Sequence, residues 1–143
     1  LAIGALRQKG YEKALKANQL NVEPERVLNL FDQENTQEHI KAFLEHETID
    51  AIISADNTSG IMVVNIAKDL GFSIPKDIAV IGFGDEQTSN LSYPQMTYIN
   101  QNAEDIGRET TTLLIQRLEE KNKVKINYKT IKMSTSLSEK SST

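Results

Sequence analysis

Short polar side chains stand where three apolar runs stop: Asp56-Asn57 after residues 50–55, Gly84-Asp85 after residues 78–83, and Gln101 after residues 97–100. In open parallel sheets ligands bind outside the carboxyl ends of the strands, so these stops are where chemistry is expected. A carboxylate accepts hydrogen bonds from hydroxyls, and an amide both donates and accepts. Such groups suit a concave site for a neutral, hydroxyl-rich ligand. Each position also has a purely structural reading. Asp56 or Asn57 would cap the helix that starts near Thr58, with Asp56 the better ligand candidate of the two, and Asp85 would serve as a loop or cap residue. Arg7 lies beside Leu6 in the first turns of a helical stretch, where position alone makes it an exposed basic residue. Tyr11, Tyr93 and Tyr98 each offer a face for stacking, and ordinary packing is the simpler account of any one of them.

Nothing in the chain organises a nucleophile with a base, and neither catalysis nor a cofactor is expected. His39 and His46, the two histidines, are separated by roughly 10 Å along a helix axis, too far for a metal pair on adjacent turns. There is no G-x-S-x-G elbow, no P-loop and no G-x-G-x-x-G after a strand. Lysine and arginine number 16 against 20 acidic residues in 143, a net charge of −4 with no basic block, so this stretch is a poor candidate for gripping a phosphate backbone. Cysteine is absent, which excludes disulfides and thiolate metal sites and fits a reducing compartment. No apolar run approaches membrane-spanning length, and no basic-then-apolar leader opens the chain at Leu1.

The elements that must position these residues follow from periodicity and stop signals. Residues 2–17 read as a helix with Ile3, Leu6, Tyr11 and Leu15 near one face and Asn18 as its left-handed stop. Residues 27–31 are a short strand candidate. Asn35 with Glu38 gives a start signal for a helix whose stripe is Ile40, Phe43 and Leu44. Residues 50–55 form a strand, and 58–70 a helix closed by Gly71. The run at 78–83 is uninterrupted, the pattern of a strand buried on both faces. A strand at 97–100 and a helix from Asn102 to about Glu119 follow, then an edge strand at 124–132 and a polar, frayed end at 138–143. This alternation predicts an α/β fold with a mostly parallel sheet flanked by helices. The chain opens on a helix with no strand ahead of it. Either that helix packs on a sheet lacking its neighbour, or the strand belongs to residues upstream of Leu1.

Several ordered words resemble the LacI/GalR family of transcription regulators. They are Arg7-Gln8-Lys9-Gly10-Tyr11, the strand ending Ala55-Asp56-Asn57, Ile74-Pro75-Lys76-Asp77 through Gly82-Phe83, and Tyr93-Pro94-Gln95-Met96-Thr97 with Gln101. Ile106-Gly107 and Leu113-Leu114 fit the helix that follows. The resemblance runs from about Arg7 to about Leu137. It implies a periplasmic-binding-protein-like effector domain of two α/β subdomains with the ligand between them. On that plan residues 1–96 and 124–137 belong to the second subdomain, and 97–123 cross into the first.

The family's ligand contacts map onto Arg7, Asp56 and Gln101. The family's Asp directly after Gly-Phe is Gly84 here, so Asp85 takes that role only through a shifted loop. A family arginine near the end is replaced by Met133 beside Lys132. The implied function is a non-enzymatic, cytoplasmic repressor portion that senses a sugar or related small polar effector and forms a homodimer. Residues 58–64 and 87–93 are the expected dimer contacts. Operator DNA would be bound only through a helix-turn-helix that these residues do not include, and no membrane partner is implied. The alternative is an exported sugar-binding protein of a transport system.

Overall fold

The computed structural model describes residues 2–30, 34–46, 48–119 and 128–143. Helix α1 spans Ala2–Ala17, α2 Thr36–His46, α3 Asn57–Asp69, α4 Glu86–Ser89 and α5 Ala103–Glu119. Strands β1 (Ala51–Ile53), β2 (Ala79–Gly84), β3 (Thr97–Asn100) and β4 (Ser136–Ser138) form one sheet in that order. The first two pairings are parallel, with Ile52 opposite Val80 and Phe83 opposite Ile99; β4 runs antiparallel to β3. The expected α/β architecture with a mostly parallel sheet is the one observed.

Local signals account for the helix boundaries. Asp56 in extended conformation caps α3, and Gly71 at φ 88° ends it, with Phe72 N–H donating to Ala67 O and Gly71 N–H to Lys68 O. At the end of α1 the same pair of bonds forms from Leu20 to Leu15 and from Gln19 to Lys16. There Gln19, not Asn18, takes the left-handed conformation, at φ 60°. Asn18 serves the terminus differently, donating its side-chain amide to Ala14 O at 2.9 Å. Asn35 likewise sits at φ 59° before α2, where its carbonyl accepts from Glu38 N–H.

The core lies between α2, α3 and the sheet. Ile40 and Leu44 of α2, Val63, Val64 and Ala67 of α3, and Ile78, Val80 and Met96 are buried together. Met96 is wedged between two glycines. A Cβ on Gly60 would fall 2.7 Å from its sulfur, and one on Gly82 2.7 Å from its methyl. Both glycines are therefore there for close approach.

Three expectations fail, two of them because a strand needs a neighbour as well as a pattern. Residues 27–30 join no ladder among the described residues, and residue 31 lies outside them. Of the edge strand expected at 124–132, residues 124–127 lie outside the described residues and 128–132 are irregular; the antiparallel strand is β4. Strand β2 is not buried on both faces. Val80 and Gly82 are buried, whereas Ala79, Ile81 and Phe83 are half-buried, so the full covering is on the α3 side. Strand β3, the start of the stretch 97–123 that the resemblance assigns to a crossing, pairs with β2 in this sheet.

The end at 138–143 is not frayed. Ser142 is fully buried; its carbonyl accepts from Val80 N–H at 2.9 Å, and its hydroxyl accepts from Thr97 N–H at 2.8 Å and donates to Val80 O at 2.5 Å. A polar composition hid a segment that satisfies the amino-terminal ends of β2 and β3. The opposite, carboxyl ends of these strands carry the cleft.

Candidate functional site

A cleft of about 180 Å³ opens at the carboxyl ends of the parallel strands, lined by Arg7, Asp56, Asn57, Phe83, Gly84, Asp85, Asn100, Gln101 and Ala103. All four residues singled out from the sequence, Arg7, Asp56, Asp85 and Gln101, lie in this lining. Asn57 was passed over in favour of its neighbour, and Phe83, Asn100 and Ala103 were missed. Their signal was position alone, as each sits at or within three residues of a strand end.

Arg7 ties the strand ends together. Its Nη1 donates to Ala55 O beyond β1, its Nη2 donates to Gln101 Oε1 beyond β3 at 2.9 Å, and its Cζ stands 3.7 Å from the centroid of the Phe83 ring in β2. It is half-buried rather than an exposed helix residue. Among the described residues, three of its five N–H donors have no protein partner.

The two carboxylates are both helix caps. Asp56 Oδ1 accepts from Ser59 N–H at 2.8 Å and its Oδ2 from the Ser59 hydroxyl at 2.5 Å. Below it, buried Ser54 donates its hydroxyl to Asp56 O at 2.7 Å, which fixes the turn out of β1. Asp85 Oδ1 accepts from Thr88 N–H at 2.7 Å and caps α4. The Thr88 amide, then the Thr88 hydroxyl, hold the Asp85 carboxyl below its ordinary value, with desolvation opposing them. The structural and the ligand readings of these residues are thus compatible, since both face the cleft while capping a helix. At Gly84 a Cβ would meet Asn57 Cβ at 3.6 Å and Thr88 Cβ at 3.7 Å, ordinary contacts that leave room for a side chain.

Other candidates lie elsewhere. Tyr98 is buried in the sheet, Tyr11 is half-buried on α1, and Tyr93 is 81% exposed with Lys68 Nζ 5.3 Å above its ring. His39 and His46 are exposed on α2, the first with Nδ1 3.1 Å from Asn35 O. Neither Lys132 nor Met133 reaches the cleft. No helix among the described residues is long and apolar enough to cross a membrane.

A family model for the periplasmic binding protein-like domain matches residues 2–143. The chain belongs to that family. This periplasmic binding protein-like domain is 28% identical over 124 residues to the HTH-type transcriptional regulator RegA of Clostridium saccharobutylicum, covering 85% of this chain and 37% of that protein. It is 26% identical over 133 residues to the HTH-type transcriptional repressor PurR of Haemophilus influenzae, covering 92% of this chain and 40% of the repressor. Among solved structures, a complex of the transcriptional regulator CelR with cellobiose superposes with a TM-score of 0.78 at 25% identity, over 96% of this chain and 42% of that one. The resemblance to LacI-type regulators read from the sequence is borne out. The domain spans about two fifths of the length of the curated relatives it matches.

Proposed function

We propose that this domain is the effector-binding and dimerisation portion of a LacI/GalR-type transcriptional repressor that senses a sugar or related small polar ligand. The observation that carries this reading is Arg7, held in the cleft by three strand ends with donors to spare. Around it stand carboxylates and amides, the groups that hold neutral hydroxyls. The relatives named above are transcriptional regulators, and one of them is solved with cellobiose, which favours a regulator over an exported binding protein. They are not enzymes, in keeping with a cleft that binds rather than reacts.

In this reading the cleft is one wall of a larger site. The second wall belongs to a first subdomain, and we place the crossing after Asn100, so that α5 sides with that subdomain. Ligand that binds the closed arrangement better shifts the population toward it and repositions DNA-binding heads in the cytoplasm. Operator DNA is then contacted by a helix-turn-helix outside this domain.

The test is calorimetry. Arg7→Ala and Asp56→Ala are each expected to weaken sugar binding by about 1–3 kcal/mol, the cost of leaving a polar partner unpaired. Unchanged affinity in both variants would remove these residues from the site. For the dimer, Leu91 and Tyr93 lie in the expected contact stretch 87–93 and are 75% and 81% exposed, as large apolar side chains at an interface would be in one protomer. Leu91→Asp should shift the protein toward monomer in sedimentation velocity, and an unchanged dimer would place the interface elsewhere. In the other expected stretch, 58–64, Met62 packs against the core and is a poorer probe.

A further inference from the structure

We propose that Phe83 is a positioning residue for the ligand: its ring carries the Arg7 guanidinium and sets the plane in which that cation meets a hydroxyl-rich ligand. This rests on the ligand reading given above. An arginine side chain has many rotamers, and a ligand that must freeze them on binding loses affinity for it. Here the freezing is already done. The ring at 3.7 Å fixes the guanidinium plane, and two acceptors, Ala55 O and Gln101 Oε1, fix its rotation within that plane. Both acceptors are neutral, and among the described residues no carboxylate pairs with Arg7, so its charge stays available.

Phe83 is suited to this by its place in the sheet. Strand pairing opposite Ile99 locks its backbone, and the ring is half-buried in the cleft lining instead of joining the apolar core. Its bulk therefore serves Arg7 more than it serves stability. An aromatic face is the required feature, because the attraction is between the cation and the ring quadrupole. An aliphatic residue of similar size fills the space without orienting the charge.

The experiment is a double-mutant cycle on the protein, read by calorimetry with glucose, ribose, sucrose and cellobiose as probes and followed on the tightest of them. Phe83→Leu is expected to bind about fivefold to thirtyfold more weakly, with a melting temperature within about 2 °C of wild type. Phe83→Tyr, which keeps the ring, should stay within about twofold of wild type. In the Arg7→Ala background, Phe83→Leu should change affinity by no more than about twofold, since the two residues act as one unit. Wild-type affinity in Phe83→Leu, with Arg7→Ala weakened, overturns the positioning role alone. An equal loss in both backgrounds also overturns it, by assigning Phe83 a contact of its own. Binding by no probe, or wild-type affinity in Arg7→Ala, removes the ligand reading and the role of Phe83 with it.

Discussion

A carboxylate at a helix cap has an oxygen engaged by an amide and lone pairs left over for a second partner. Asp56 and Asp85 are both of this kind, and they differ in what the cap supports: a helix of 13 residues in one case and of 4 in the other. For Asp85 the folded-state pKa lies below the ordinary value, so its contribution is present above the carboxylate range and is lost as pH falls through the depressed value. Asp85→Ala should cost about 0.5–1 kcal/mol at neutral pH, the lower end of a cap deletion. Urea midpoints of wild type and variant should converge as pH falls through the depressed carboxyl value; a constant gap across pH would separate the cap from the charge. Asp85 and Asp56 were legible because caps follow local rules. Arg7 was legible by resemblance only. Its acceptors lie 48 and 94 positions away along the chain, and no spacing rule reaches that far.

At the scale of elements, α3 and β2 are joined through the notch that Gly60 and Gly82 leave for Met96. Gly82→Ala would place a methyl 2.7 Å from the Met96 methyl and 2.9 Å from its sulfur, and Met96 is fully buried with nowhere to retreat. A loss of about 1–3 kcal/mol is expected in chemical denaturation, as for other overpacked cores. The shorter side chain of Met96→Val should recover part of it in the double variant. An unaffected Gly82→Ala would mean that the α3–β2 contact yields more easily than its packing suggests. Elements with strong local stops, such as α3 between Asp56 and Gly71, were read to within a residue or two. Strands were read only where a partner existed. Residues 27–30 have the composition of a strand and pair with no strand among the described residues, whereas β4 forms from Ser136, Leu137 and Ser138, a run with no strand signature, because β3 offers an edge.

Across the whole molecule, the two ends of the sheet do different things. The carboxyl ends of the strands hold the cleft, and the amino ends are closed by the last residues of the chain. Ser142→Ala leaves the buried Thr97 amide and Val80 carbonyl each short of a partner and should cost about 1–3 kcal/mol in urea unfolding. A wild-type midpoint would show that this end is not part of the cooperative unit. The serine-rich composition gave no hint of it, since burial there is by hydrogen bonding and not by apolar surface. The same sealed interior has a redox consequence for Met96. Its side chain is fully buried against Gly60 and Gly82, so peroxide is expected to reach the sulfur only when α3 stands off the sheet. The thioether is thereby a chemical clock, its oxidation rate counting how often this half of the molecule comes apart.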